Sequence, residues 1–331
     1  GVVDQVAHEH AKRRPIAPPR RARGAMSRAR LASGIVLPFL IVTLIWSSTW
    51  IVIRDQLGVV PASWSVCYRF AIAALGMAIL ARMSGESLRL GAREILFCGA
   101  LGTAQFAINF NLLYRAEAHL TSGLCALVYA LLLIPNSVFS RILFGVRMSG
   151  GFLAGSAVAV IGIALLFANE YRASITAAPE EVALALGLCT LAVLFASCAN
   201  VMQASSTARR IPVATLLVWS MAIGSLADGI FAWITNGPPV VDLRPGYWLG
   251  VLYLAIAGSV VTFPLYFRLI QQIGAGPAAY TSVLIPILAM GISTAFEGYR
   301  WTWLASSGVL LALGGMVIAL HARLRQASGK T

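Results

Sequence analysis

The chain repeats itself at a long interval, and this repeat limits its folds more than any other feature. Gly123, Tyr129, Ile134 and Pro135 recur as Gly274, Tyr280, Ile285 and Pro286, each 151 positions later. Pro61 and Pro212 share that spacing, while Arg147, Gly155 and Gly162 recur as Arg300, Gly308 and Gly315, 153 positions on. Isolated matches of Gly or Leu carry no information in an apolar chain. Several pairs in one register, with a Tyr and prolines among them, mark a duplicated unit of about 150 residues, too long for a solenoid repeat of roughly 20–50. A chain of two related halves remains, the plan of many membrane transporters.

Apolar runs of about 20 residues recur throughout, the length needed to cross about 30 Å of hydrocarbon. Composition agrees with this reading. The chain is 59% hydrophobic and 11% charged, whereas a soluble domain carries about 25% charged residues. The alternation over about 10 residues that marks barrel strands does not occur. Ten spans are predicted, near residues 35–53, 63–81, 95–114, 119–140, 151–169, 182–205, 212–233, 247–270, 274–296 and 303–321. They imply a disordered basic tail at 1–34, a five-helix unit at 35–171, a join at 172–181, a second five-helix unit at 182–321 and a tail at 322–331. Five is odd, so the second unit must enter the membrane the other way up. The expected fold is an all-α polytopic membrane protein, with ten transmembrane helices as a 5+5 inverted repeat. Such pairs build a site near the midplane and open it to each side by rocking one half against the other.

A formal charge of +13 could suggest nucleic acid, yet eight of the 25 basic residues sit in the first 34 positions and most others in alternate connections. With the N-terminus in the cytoplasm, 19 Lys and Arg lie inside and five outside, with Arg69 within a span. Membrane orientation accounts for this asymmetry, which places both termini in the cytoplasm and the chain in the plasma (inner) membrane. The partners expected are the bilayer and a small solute, and no nucleic acid. Cys67, Cys98, Cys125, Cys189 and Cys198 lie in apolar runs without metal spacing, and read as packing residues. His8-Glu9-His10 lacks the spacing that sets two imidazoles on one helix face. No phosphate-binding G-x-x-x-x-G-K-[ST] is present, so direct coupling to ATP is unsupported.

Trp46-Ser47-Ser48-Thr49-Trp50 in the first span, Pro61 before the second, and the ladders Tyr129…Pro135…Arg147…Gly155 and Tyr280…Pro286…Glu297…Gly308 resemble the drug/metabolite transporter superfamily, and its EamA-type transporters in particular. The resemblance covers about residues 35–321. It implies export or exchange of small metabolites, amino acids among them, without cofactor or ATP. One departure stands out: that family often carries an acid at the end of both the fourth and ninth helices, but here Glu297 is matched by Val146.

Arg69 lies inside the apolar run Ser65 to Leu80. A charge at the bilayer centre costs about 2.5–3.5 kcal/mol on insertion scales, so it needs a cavity or a partner, unless it snorkels to the headgroups. A guanidinium suits a carboxylate-bearing solute. Trp46 and Trp50 share a helix face with hydroxyls beside them, and either line a pocket or join the interfacial aromatic belt. Asn109 and Asn111 point apart on their helix, so one can line the cavity while the other bonds a neighbouring helix. Asn200 is a similar candidate in the second half. Tyr129 and Tyr280 stand at matching places before Pro135 and Pro286, which remove backbone donors and let a helix bend. Glu117 and His119 fall in the short connection before the fourth span. They are candidates for a proton-coupling or gating element, with a solvated loop as the other reading. The alternatives to transport are an intramembrane enzyme, which would need a nucleophile and base or paired acids, and a non-transporting assembly protein.

Overall fold

The computed structural model describes residues 20–173, 179–273 and 281–327. These form ten long helices: α1 Arg20–Asp55, α2 Ala62–Met83, α3 Ala92–Glu117, α4 Ser122–Phe144, α5 Gly150–Ala173, α6 Pro179–Gln203, α7 Val213–Asn236, α8 from Pro245–Ala255 through Thr262–Ile273, α9 Thr281–Phe296 and α10 Trp303–Ala327. Eight are long and apolar enough to cross a membrane, and α5 and α9 contribute the shorter apolar segments Gly150–Leu166 and Thr281–Phe296. There are no strands among the described residues. Large apolar side chains such as Leu75, Ile79, Leu226, Ile230 and Leu310 stay exposed around the bundle, as faces that meet lipid rather than water should. The chain is an all-α, multi-pass membrane protein.

The repeat is visible in the backbone. Pro61 and Pro212 precede α2 and α7 with identical angles, φ −54° and ψ 139°, because the proline ring presets the entry into a helix. Gly145 and Gly298, just beyond α4 and α9, both turn to φ +68°, a left-handed conformation that suits glycine at a helix end. Both α3 and α8 contain a π-helical turn, Thr103–Ile108 and Ile256–Val261, again 153 positions apart.

Packing shows how the halves are related. Three helices pack on their own counterparts: α2 on α7, α4 on α9 and α5 on α10. The others cross over, with α1 on α8 and α9, and α6 on α3 and α4. Exchanging the halves returns the same set of neighbours, which is the signature of a two-fold arrangement. Its direction is settled at the α5–α10 crossing. A Cβ on Gly155 would lie 2.7 Å from the Gly315 carbonyl oxygen, and one on Gly162 would lie 2.6 Å from that of Gly308. The earlier glycine of each helix thus meets the later glycine of the other, so α5 and α10 run antiparallel. An axis along the membrane normal would leave counterparts parallel, so this one lies in the membrane plane.

The structure departs from the sequence reading at several boundaries. α1 begins at Arg20, within the tail expected to be disordered, because Ala, Arg, Met and Leu favour helix there. α10 likewise runs on to Ala327. The fourth span is not one smooth helix: it breaks at Leu131 and Leu132 between Ser122–Ala130 and Leu133–Phe144. Pro135 offers no N–H to Leu131, whose carbonyl instead accepts from the Ile134 N–H at 2.8 Å in a tighter turn. α9 stays continuous through Pro286. Both α1 and the end of α3 finish on the side opposite the start of α1, here the far side. In the α7–α8 connection, also on the far side, Arg244 grips Asp242 at 2.7 Å and holds its carboxyl below the ordinary carboxylate range.

Candidate functional site

Arg69 points into the bundle. Its side chain is 2% exposed, so it does not snorkel. The guanidinium carbon lies 4.5 Å from the ring centre of Phe110 and 5.0 Å from that of Phe70, an arrangement that favours a cation over an aromatic face. Nε and Nη1 are buried and meet no acceptor among the described residues. The π turn of α8 comes close beside them at Gly258: a Cβ there would stand 3.6 Å from Arg69 Nη2 and only 3.1 Å from Thr49 Cγ2. The Gly258 carbonyl accepts from Trp46 Nε1 at 3.2 Å and from Thr262 Oγ1 at 2.8 Å. A π turn leaves carbonyls less regularly paired than an α-helix does, which suits a backbone that receives side chains.

The aromatic candidates converge on the same region. Trp50 meets Tyr129 edge to face at 5.1 Å, and the Tyr129 hydroxyl donates to Asn109 Oδ1 at 2.5 Å. Asn109 Nδ2 in turn donates to the Gln105 carbonyl in the π turn of α3, at 3.1 Å. Trp46 packs 5.1 Å from Tyr266 and 5.6 Å from Phe263 of α8. Trp50, Tyr129 and Asn109 thus form one set of contacts between α1, α4 and α3, Trp46 joins α1 to α8, and Arg69 packs on Phe110, the residue after Asn109.

Asn111 takes the other role foreseen for the asparagine pair. Its amide donates to the Ala107 carbonyl at 3.0 Å and across to Asp228 Oδ1 of α7 at 2.5 Å. Asn200 is half-buried in α6, about three turns beyond Cys189, and no hydrogen bond among the described residues joins it to the set. Tyr280 lies outside the described residues.

Glu117 and His119 do not meet. Glu117 is buried at the end of α3, with neither carboxylate oxygen partnered among the described residues, while His119 lies 3.5 Å from Glu181 of α6. The two-residue spacing turns the side chains apart, so they form no joint proton element in this structure. What holds the far side is a tie between halves. Glu297, after α9, accepts from the Ser122 N–H at 3.1 Å and from its hydroxyl at 2.6 Å, capping α4. Arg54 of α1 lies 3.8 Å from the same carboxylate and donates to the carbonyls of Glu117 and Leu120. On the side where α1 starts, Glu86 of the first half similarly caps α7 of the second, through the Thr215 N–H at 3.1 Å. Each carboxylate satisfies donors left open at a helix start.

The chain matches the EamA-like transporter family twice, over residues 33–168 and 183–320. It belongs to that family. Among its relatives are Protein PagO of Salmonella typhimurium, 22% identical over 87% of this chain and 93% of that one, and the "Probable amino-acid metabolite efflux pump" of Escherichia coli K12, 24% identical over 84% and 92%. The "Probable terminal-alkyne amino-acid exporter" of Streptantibioticus cattleyicolor is 31% identical, over 38% of this chain and 43% of that one. A solved crystal structure superposes with a TM-score of 0.63 at 20% identity, covering 88% of this chain and 98% of the other; it shares the fold.

Some residues around Arg69 have no signal in the sequence. Phe110 and Gly258 read as ordinary members of apolar spans. Tyr114, which donates to Gln56 Oε1 at 3.2 Å, could have been found as the residue one turn after Asn111. Gly258 could not, because its place depends on a π turn.

Proposed function

We propose that this EamA-family chain is a secondary exporter or exchanger of a small solute bearing a carboxylate, an amino acid or related metabolite. The observation that carries this reading is Arg69: a guanidinium buried between helices, with Nε and Nη1 unsatisfied among the described residues and aromatic rings beside it. A permanent charge in the bilayer is tolerated where it faces a pathway or a partner, and a carboxylate matches the guanidinium fork. The relatives named as an amino-acid metabolite efflux pump and an amino-acid exporter favour the same class. Transport would proceed by alternating access. The Glu297–Ser122–Arg54 tie would part when the far side opens, and the Glu86–Thr215 tie when the other side does. The basic asymmetry, 19 against five, puts both termini in the cytoplasm of a plasma (inner) membrane, with the far side outside.

The test is solute binding and liposome flux with Arg69→Gln and Arg69→Lys, after each variant is shown to insert and fold. Loss of a charge-assisted bond should cost about 1.5–3 kcal/mol, roughly ten- to a hundred-fold in affinity. Lys should recover part of this, because it supplies the charge without the fork. Unchanged affinity in Arg69→Gln would refute the assignment.

A further inference from the structure

A second ionisable group, a carboxyl, is buried at a comparable distance along its own helix. Asp228 of α7 is fully buried. Its Oδ1 accepts from Asn111 Nδ2 at 2.5 Å, and its Oδ2 is buried with no partner among the described residues. The ion pairs formed among those residues join Arg54 to Glu297, His119 to Glu181 and Arg244 to Asp242, so no cation neutralises Asp228. Ser225, one turn earlier, donates its hydroxyl to the Cys67 carbonyl at 2.9 Å and does not compete for Oδ2.

The distances follow from the helix rise. Arg69 is seven residues into α2 and Asp228 is eight residues before the end of α7, both counted from the far side. At 1.5 Å per residue these are about 10 Å and about 12 Å from the far ends of their helices. They form no ion pair with each other. Phe110 holds the guanidinium and the next residue, Asn111, holds the carboxyl. One charge comes from each half, and the duplication explains neither: the counterpart of Arg69 is Ser220, and that of Asp228 is Met77.

A buried guanidinium and a buried carboxyl, one from each half and each with hydrogen-bonding atoms left open among the described residues, match one kind of guest. We propose that Asp228 is the ammonium subsite of the solute whose carboxylate Arg69 binds, so that the transported species is a zwitterion carrying one ammonium and one carboxylate. This rests on the Arg69 reading above. A zwitterion brings no net charge into the membrane and satisfies both groups at once. A lone anion would leave the Asp228 carboxyl facing a second acid, and an organic cation would leave Arg69 bare. The aromatic wall of Trp46, Trp50 and Tyr129 then receives the side chain.

The test uses the full chain in detergent. The twenty L-amino acids are screened by thermal shift, and the strongest binder is compared with its N-acetyl derivative, which lacks the ammonium, and its decarboxylated amine, which lacks the carboxylate. The parent should bind the amino acid at least ten-fold more tightly than either derivative. Asp228→Asn should weaken the amino acid about ten-fold or more while leaving the N-acetyl derivative within two-fold, and Asp228→Glu should retain part of the preference. Arg69→Gln should instead erase the advantage over the amine. If Asp228→Asn does not fold, the ammonium preference of Asp228→Glu decides: a preference equal to that of the parent or entirely lost for both derivatives alike overturns the proposal. If Arg69→Gln acts as described and Asp228→Asn weakens all probes equally, or none, the ammonium subsite is refuted and the carboxylate site stands. If Asp228→Asn abolishes the pH dependence of flux while ammonium selectivity persists, Asp228 carries protons and the proposal fails. If no amino acid shifts the melting temperature, both readings fall together.

Discussion

Two adjacent glycines in α10 should respond to the same substitution with opposite signs. At Gly315 a Cβ would lie 2.6 Å from the Gly155 carbonyl oxygen and 2.8 Å from Ala159 Cα. Those are backbone atoms of α5, which cannot turn aside as a side chain would, so the two helices must separate. Overpacking of this kind costs about 1–3 kcal/mol, whereas replacing Gly by Ala within a helix contributes at most about 1 kcal/mol of propensity. The net effect of Gly315→Ala is a loss of roughly 1–2 kcal/mol, or a fall of about 1.5–3 °C in a chain of this size. At Gly314 nothing lies within 4 Å of the added methyl, so Gly314→Ala keeps the propensity gain and should melt at or slightly above the parent. Gly155→Ala and Gly308→Ala, counterparts under the duplication, should each fall by a similar amount. Thermal unfolding in detergent, followed by tryptophan fluorescence, measures all four. The reasoning fails if Gly315→Ala melts at or above the parent, or if the neighbouring variants shift together.

Two further predictions concern orientation and the tie between halves. In a background without the five native cysteines, Ser84→Cys and Asn236→Cys sit in equivalent connections, after α2 and α7, and should label from opposite sides of the membrane; labelling from one side would sink the inverted arrangement. Glu297→Ala removes the cap from α4 and should cost about 1–2 kcal/mol in a melting experiment, while Glu297→Gln, which keeps an acceptor for the Ser122 N–H, should recover part of it. Equal losses would leave Glu297 without a capping role.

The fold was legible because membrane helices announce themselves through length and because the duplication left marks that survive in Tyr, Pro and Gly positions. Arg69, Trp46, Trp50, Asn109 and Tyr129 could be singled out for a related reason: in an apolar span, each polar or amphipathic side chain needs a place out of the lipid. Partners were harder to read. Asp228 takes its meaning from its contact with Asn111, which spans the two halves at a sequence separation of 117. The break before Pro135 and the continuity through Pro286 come from identical prolines, so local propensity could not separate them. The spacing of Glu117 and His119 suggested a pair, but a helix end aims such neighbours at different surroundings. Glu297 was recognised as a residue of its helix end, and its role across the interface needed three dimensions.

The paired π turns also order events in the history of the chain. A π turn holds one residue more than an α-helix needs, so it records an insertion. Thr103–Ile108 and Ile256–Val261 occupy equivalent places, and one insertion inherited twice is simpler than two made independently at the same site. The insertion therefore predates the doubling, as do the proline entries and the glycine crossings. At that stage the ancestor was a five-helix chain, which could complete this architecture by pairing with an inverted copy of itself. Arg69 and Asp228 each occur in one half alone, a difference that fusion permitted by freeing the two copies to diverge. The scaffold is older than the chemistry it now holds.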